Sequence, residues 1–294
     1  MARTNQKLAP HPPSLSIIEA GAHDGKLAAD ILNWLKSFQP ELFSGLEYVI
    51  LEPSTVRQQW QRKRLEGFSN VIWHENFEVL KLKTQNSKRH GVLFSNELLD
   101  AFPVQRLGWD AGGKTWFEHG VTLDGGTFAW CKIPNPQSAI RNPQLEAVLP
   151  DNYTIESSPA AENWWREAAE VLSHGKLMAI DYGFTVEEQF SPARTNGTLR
   201  AYLRHQVTND VLANPGEQDL TAHVNFSAIQ KTGEAAGLRT ENFCTQPQFL
   251  TRILGEAVKE NLFAQLDAKQ IRQFQTLTHP DHLGRAFRVL VQSR

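Results

Sequence analysis

The chain has 294 residues, of which 40% are hydrophobic and 21% charged, and this composition excludes a mainly disordered protein. The formal net charge of −2 gives no overall field that would attract nucleic acid or a membrane surface, so neither is expected as a partner. Two widely separated cysteines, Cys131 and Cys244, suit a reducing compartment, and no membrane-length apolar run or apolar signal-peptide core is present. We therefore expect a cytoplasmic protein.

The first element in chain order is an apolar run that ends in Glu19 and continues into a glycine turn and then a helix. Gly21 and Gly25 allow a sharp turn and let a ligand approach the backbone closely. A strand, turn and helix in this order present backbone N–H groups to a nucleotide-like ligand. The next apolar run ends in Glu52, where a carboxylate is placed to accept from two ribose hydroxyls.

The spacing of the turn distinguishes between cofactors. A dinucleotide turn requires G-x-G-x-x-G, but counting from Gly21 its second and third glycines would fall on His23 and Lys26. The observed E-x-G-x-x-x-G, followed by an acid at the end of the next strand, is more typical of an S-adenosylmethionine turn. A tight turn without a ligand is the alternative that the pattern leaves open.

Strands and helices alternate along the rest of the chain. We predict strands at 15–19, 48–52, 71–73, 91–95, 177–181 and 285–291 and helices at 26–38, 55–66 and 162–172. In the first helix, Leu27, Ile31, Leu35 and Phe38 have the spacing of one apolar face. The alternation predicts an α/β protein with a doubly wound, mostly parallel sheet, in a single domain over residues 1–294.

Two stretches interrupt this alternation. Residues 103–155 contain glycine pairs between short apolar runs, which predicts antiparallel hairpins inserted between the fourth and fifth strands. Residues 190–226 mix turn signals with polar and aromatic side chains, which is typical of a segment that lines a site. The basic run in the helix at 55–66 is interpreted as a solvated face.

Candidate ligand-binding side chains follow the third and fourth strands, where ligands bind in open α/β sheets. Asn76 and Phe77 follow the third strand, and Asn96, Glu97 and Asp100 follow the fourth. A helix cap formed by Asn96 and Glu97 is the alternative interpretation of the second group.

An ordered set of segments resembles the MidA-type methyltransferase family, and the match runs from Ile17 to the C-terminus. The segments are EAGAHDGKLAADIL, LEPS, SNELLDAFPVQR, ESSP, IDYG, GTLRAYLRH, PGEQDLTAHVNF and GRAFRVL. The resemblance implies a seven-stranded class I methyltransferase fold and S-adenosylmethionine as cofactor. For the mitochondrial branch of the family it implies dimethylation of a protein arginine, and hence a protein substrate.

The resemblance and the strand-end positions together give the candidate site. The cofactor-binding candidates are Glu19, Gly21, Gly25, Glu52, Asn76, Phe77 and Asn96. A protonated guanidinium needs a carboxylate partner, so Glu97 and Asp100 are the catalytic candidates, with Glu156 in reserve. His205 or His223 would take the proton, and the flanking aromatic and acidic candidates are Tyr182, Tyr202, Phe226 and Asp219. No metal is expected.

Family members carry a segment before the first strand that this sequence does not match, so we expect a more open acceptor site. The sequence leaves a homo-oligomer open. Two other functions remain open at this point. The protein could bind the cofactor as a non-catalytic scaffold, which the intact Glu52 opposes. It could also be a dinucleotide oxidoreductase, which the missing second glycine opposes.

Overall fold

The structure is a computed structural model that describes residues 15–83, 88–134, 147–191, 194–204, 206–208, 210–259, 267–281, 284 and 286–294. Its contacts divide the chain into two compact units. The first comprises residues within 1–95, 168–178 and 293–294, and the second comprises 96–167 and 179–292.

Strands and helices follow one another along most of the chain. The strands are β1 Leu15–Ala20, β2 Glu47–Leu51, β3 Val71–His74, β4 Arg89–Asn96, β5 Gln105–Asp110, β6 Thr115–Asp124, β7 Thr127–Pro134, β8 Thr154–Ser157, β9 Leu172–Phe184, β10 Arg200–Leu203, β11 Gln206–Thr208, β12 Asp219–Thr221, β13 Val224–Asn225, β14 Arg239–Thr245 and β15 Phe287–Ser293. The helices are α1 Lys26–Phe38, α2 Pro40–Ser44, α3 Thr55–Arg64, α4 Phe77–Lys83, α5 Pro159–Val171, α6 Val186–Gln189, α7 Phe226–Ala235, α8 Gln246–Lys259 and α9 Ala268–Thr278.

The first unit is built on parallel strands. β1 pairs in parallel with β2 on one side and with β4 on the other, and β2 pairs in parallel with β3. Because the strands are parallel, their carboxyl ends lie at one edge, where Glu19 and Glu52 mark the ends of β1 and β2. The helix α1 packs its buried side chains into the apolar core of this unit.

The predicted apolar face of α1 is wrong in part. The buried side chains are Ala28, Leu32 and Leu35, whereas Leu27 and Phe38 are 43% and 59% exposed. The apolar residues of this helix form a stripe wider than its buried face, so their spacing alone does not determine which edge of the stripe faces the core. The left-handed Gly25 at its N-terminus, φ 79°, determines where the first turn begins.

The second unit contains strands of both kinds. β13 pairs in parallel with the end of β9, and the strand order on the other side is β9, β15, β14. β5 pairs antiparallel with β6 and with β8, and β6 pairs antiparallel with β7. The antiparallel hairpins predicted within 103–155 are therefore present. A separate inserted subdomain, and a single domain over the whole chain, stay predictions.

A mixed α/β fold with a mostly parallel central sheet is confirmed. The predicted strand at 285–291 is observed at Phe287–Ser293, and Arg285 lies outside the described residues. The basic side chains of α3 are exposed, as predicted. Among the helices that the structure describes, none has the length and apolar character needed to span a membrane.

Candidate active site

The glycine turn after β1 has the backbone that its sequence requires. Gly21 and Gly25 both lie in the left-handed region, with φ of 75° and 79°. The Gly21 N–H donates to the Leu51 carbonyl at 3.2 Å, and the Gly25 N–H donates to the Ala22 carbonyl at 2.7 Å. The turn is therefore tied to the end of β2. A side chain at Gly21 or Gly25 would strain the backbone.

Glu52 at the end of β2 is held by two donors. Its Oε1 accepts from the Ser54 N–H at 2.9 Å, and its Oε2 accepts from Gln61 Nε2 at 3.2 Å. A carboxylate accepts about four hydrogen bonds, so each oxygen keeps one acceptor position. Two acceptor positions on one fixed carboxylate match the two hydroxyls of a ribose. Glu52 therefore fits the cofactor that the turn predicts.

Gln61 is a positioning residue that the sequence did not reveal. Its Nε2 donates both to Glu52 and to the His23 carbonyl of the glycine turn, the latter at 2.9 Å. Its Oε1 accepts from Trp73 Nε1 at 3.0 Å. This fully buried amide therefore joins the turn, the strand-end acid and β3. A glutamine on an otherwise basic helix carries no local signal of such a role.

Glu19 is buried and accepts a hydrogen bond of 2.7 Å from the Tyr48 hydroxyl, 29 residues further on. Burial raises the pKa of Glu19 from 4.5 to about 7, and the Tyr48 hydrogen bond offsets part of this effect. Glu19 is thus bonded within its own sheet. Its assignment to cofactor binding stays a prediction.

The other cofactor candidates are placed as follows. Asn76 is exposed, and its Oδ1 accepts from the Val79 N–H at 2.9 Å at the start of α4. Phe77 is buried. Asn96 donates to Glu97 Oε1 at 3.3 Å. These contacts are what a helix cap and a core residue would also make, so the roles of Asn76, Phe77 and Asn96 in binding stay predictions.

The turn that follows β4 is held by a buried carboxylate. Asp181 Oδ2 accepts from the N–H groups of Leu98 and Leu99 at 3.1 and 2.8 Å, and its Oδ1 accepts from the Tyr182 N–H at 2.9 Å. Glu97 adopts φ 50°, a strained conformation for a glutamate. Asp181 therefore fixes the turn from which Glu97 and Asp100 project.

Glu97 and Asp100 line one cavity of about 450 Å³ in the second unit. The described residues around it are mostly charged or aromatic. Besides Glu97 and Asp100, six of them are of these kinds: Tyr182, Arg200, Tyr202, Arg204, Asp219 and His223. The Tyr182 hydroxyl donates to Glu97 Oε2 at 3.4 Å. The two catalytic candidates are thus brought together, in a space large enough for an amino-acid side chain.

The electrostatics of this cavity depend on Asp100. Burial raises the pKa of Asp100 from 3.8 to about 6, and the nearby Glu97 contributes to the same rise. Burial also raises the pKa of Asp181, and the neighbouring Asp100 adds to this effect. The cavity therefore holds one carboxyl group, that of Asp100, whose ionisation is costly in the free protein, and a bound cation would relieve that cost.

Glu156 has a different environment. Its Oε2 accepts from the Thr198 N–H and hydroxyl at 2.8 and 3.1 Å, and its Oε1 lies 3.5 Å from Arg106 Nε. A Cβ at Gly197 would overlap this carboxylate, so only glycine fits there. Among the described residues, the lining of the large cavity does not include Glu156. Its contacts favour the positioning of the turn before β10 over a catalytic role.

Of the two candidate proton acceptors, His205 lies outside the described residues. His223 lines the cavity, and burial lowers its pKa, helped by the nearby charges of Arg194, Arg200 and Arg288. A neutral imidazole is therefore available there near pH 7. Phe226 is buried at the start of α7 and is not among the described lining residues.

Residues 1–244 match the model of a family described as "Putative S-adenosyl-L-methionine-dependent methyltransferase". The chain belongs to this family. Its cofactor is S-adenosylmethionine, as the resemblance and the turn spacing predict, and the enzyme class is methyltransferase. The dinucleotide alternative is thereby excluded.

Two named relatives are similar in sequence to this chain over most of its length. A protein of Drosophila melanogaster, named protein arginine methyltransferase NDUFAF7 homolog, mitochondrial, is 26% identical over 95% of this chain and 67% of its own length. The Xenopus tropicalis protein of the corresponding name is 26% identical over 96% of this chain and 70% of its own.

A solved structure gives the same result for the fold. A Burkholderia thailandensis protein, crystallised with S-adenosyl-homocysteine, is 29% identical and superposes with a TM-score of 0.78 over 96% of this chain and 72% of its own. The family prediction is thus confirmed. In the part of the chain that is described, no cluster of three or more His, Cys, Asp or Glu is arranged to hold a metal.

Proposed function

We propose that this methyltransferase transfers the methyl group to an arginine side chain of a protein. The observation that carries the proposal is the pairing of Glu97 and Asp100 at one cavity of about 450 Å³, with the Tyr182 hydroxyl bonded to Glu97. A guanidinium is planar, cationic and rich in donors, and carboxylates hold such a group in a fixed orientation through paired hydrogen bonds. The names of the Drosophila and Xenopus relatives support the same acceptor.

The cofactor would be held by the first unit. Glu52 would accept from the ribose hydroxyls, and the backbone of the turn at Gly21 would lie against the amino-acid end. When bound, S-adenosylmethionine supplies a methyl group on a sulfonium, which needs no metal activation. The contribution of the chain is to bind, to align the acceptor and to exclude water.

The cavity residues have separate tasks in this proposal. Ionised Glu97 and Asp100 draw positive charge toward the guanidinium nitrogens that they bind, and so leave the remaining nitrogen a better nucleophile. Neutral His223 can accept the proton that the methylated guanidinium releases. Asp181 takes no part in the chemistry, because its acceptor positions hold the turn. The pKa of Asp100, about 6, keeps it ionised near pH 7.

The test uses the protein with methyl-labelled S-adenosylmethionine and the protein fraction of cells that carry its gene, followed by mass spectrometry of labelled peptides. Label in methylated arginine is the expected result. The test variant is Asp100→Asn and its control is Glu217→Gln, since Glu217 is an exposed acid within residues 190–226 that lies outside the described cavity lining. Label in lysine, in small molecules or in no product, while calorimetry shows cofactor binding, would overturn the arginine assignment.

The sequence also predicts a protein substrate and a cytoplasmic location, and we keep both as proposals. Failure of label transfer to every protein, with an intact cofactor affinity, would favour the non-catalytic scaffold instead. A possible homo-oligomer is tested by light scattering on the purified chain.

A further inference from the structure

The strand β10 and the residue after it present three long side chains to the cavity in alternation. Arg200, Tyr202 and Arg204 occupy every second position and all line the cavity, whereas Ala201 between them is fully buried. Within β10, at Arg200 and Tyr202, this is the alternation that a strand imposes on its two faces, and Arg204 follows in the adjoining turn. The partner strand β12 places Asp219 opposite Tyr202. One wall of the cavity is therefore a small sheet whose inner face carries two guanidinium groups.

Among the described residues, no carboxylate forms an ion pair with either of these two guanidinium groups. Arg200 Nη1 donates to the carbonyl of Leu199 at 2.8 Å, and Arg204 is exposed in a left-handed conformation with φ 51°. The positive charge of Arg200 acts on the cavity, because it contributes to the lowered pKa of His223. Both arginines therefore keep donors that a ligand can use.

The cavity is thus divided by charge. The turn after β4 supplies Glu97 and Asp100, whereas the sheet wall supplies Arg200 and Arg204 against one carboxylate, Asp219, and so carries net positive charge. A substrate with a guanidinium alone would gain from the first pair and be repelled by the second. A substrate that also carries a carboxylate would match both, since arginine binds carboxylates through paired N–H donors.

We infer that the acceptor peptide carries an acidic side chain next to the arginine that is methylated, and that Arg200 and Arg204 bind this acid. The inference rests on the proposed function, because it names the substrate class of the same cavity. Arg200 and Arg204 are specificity residues in this scheme. They bind the neighbour of the methylated side chain and make no contact with the transferred methyl group.

The test compares short peptides with one central arginine and labelled S-adenosylmethionine as methyl donor. Each peptide has a twin in which an aspartate beside the arginine is replaced by the isosteric asparagine. The aspartate peptide should have a kcat/KM about tenfold above that of its twin, with the difference mainly in KM. Salt should reduce the ratio, because the contact is between charges.

The matched variants locate the effect. Arg200→Gln and Arg204→Gln should bring the ratio between the twin peptides close to one, and Arg200→Lys should retain part of it. Arg239→Gln is the control, because this exposed arginine lies outside the described cavity lining. Thermal unfolding and S-adenosyl-homocysteine binding show that each variant is folded. The charge reversal Arg200→Glu should favour peptides with lysine at the same position.

The outcomes separate the inference from the function on which it rests. Methylation of arginine with equal rates for the twins overturns the inference and leaves the proposed function standing. The inference is also overturned, and the proposed function left standing, if Arg200→Gln weakens S-adenosyl-homocysteine binding and leaves the ratio between the twin peptides unchanged. Absence of methylation on every arginine peptide, with the cofactor bound, overturns both.

Discussion

The polar groups around the glycine turn and those around the large cavity differ in where their partners come from. In the first unit, Glu19 is bonded to Tyr48, and Glu52 is bonded to Ser54 and Gln61. In the second unit, the carboxylates after β4 line a cavity together with Arg200 and Arg204, which have no ion-pair partner among the described residues. The first arrangement is pre-organised by its own chain, and the second needs a ligand to complete it.

The difference has an energetic side. Burial raises the pKa of both Glu19 and Asp100, to about 7 and about 6. The hydrogen bond from Tyr48 limits the cost at Glu19 in the free protein. At Asp100 the free-energy cost of ionisation is reduced only when a cationic ligand binds. The ligand then replaces the lost hydration with charge-assisted hydrogen bonds.

Removing a cavity charge should give the largest effect. Glu97→Gln and Asp100→Asn preserve shape, and each should reduce kcat about a thousandfold, roughly 4 kcal/mol of transition-state stabilisation. S-adenosylmethionine affinity should stay near the wild-type value, because Glu52 and the glycine turn, which are expected to bind the cofactor, lie in the first unit. Steady-state kinetics together with calorimetry measure both quantities.

The pH profile sharpens this expectation. The kcat/KM of the wild-type protein should rise with pH through about 6, since Asp100 must ionise before it can hold a guanidinium. Unfolding of either variant, or loss of its cofactor affinity, would instead support the interpretation of Asn96–Glu97 as a structural cap. Glu217→Gln serves as the matched control.

The next effect concerns stability and Glu19. Its folded pKa of about 7 lies above the ordinary 4.5, so its favourable contribution is complete below about pH 4.5 and is lost as pH rises through about 7. The loss is about 3 kcal/mol for this buried group. Glu19→Gln keeps an acceptor for Tyr48 and should flatten this part of the profile. Urea unfolding from about pH 5 to about pH 8 measures it, and equal slopes in the two proteins would contradict the assignment.

The strand-end acid gives a slightly smaller effect. Glu52→Ala should weaken S-adenosylmethionine binding about a hundredfold, because two charge-assisted hydrogen bonds of about 1.5 kcal/mol each are lost. Gly21→Val should also weaken binding, since its φ of 75° disfavours a branched side chain. The control is Glu66→Ala, an exposed acid of the same unit. Wild-type affinity in both variants would show that the cofactor lies elsewhere.

Local patterns in the sequence predicted much of the fold and part of the site. Strand ends and the glycine turn are short-range features, and the structure has them where the sequence predicts them. Glu97 and Asp100 line one cavity, and their catalytic roles stay predictions. Contacts between distant residues were not predictable. Tyr48 reaches Glu19 across 29 residues, and Glu156 is bonded to Thr198 across 42, because each contact depends on which strands become neighbours. The rotation of α1 was missed because its apolar stripe is wider than the face that it buries.

Gln61 provides the smallest and most specific test of the pre-organised region. Its amide donates to Glu52 and to the His23 carbonyl and accepts from Trp73, so Gln61→Leu preserves volume and leaves all three groups without this partner. We expect S-adenosylmethionine affinity to fall about tenfold, because Glu52 would lose its orientation but keep its charge. Gln61→Glu would place a second carboxylate beside Glu52 and should weaken binding further, as like charges repel. Gln59→Leu, at an exposed position of the same helix, is the control. A Gln61→Leu protein with full affinity would show that Ser54 alone orients Glu52, and the distinction between the two regions would then rest on burial rather than on hydrogen bonding.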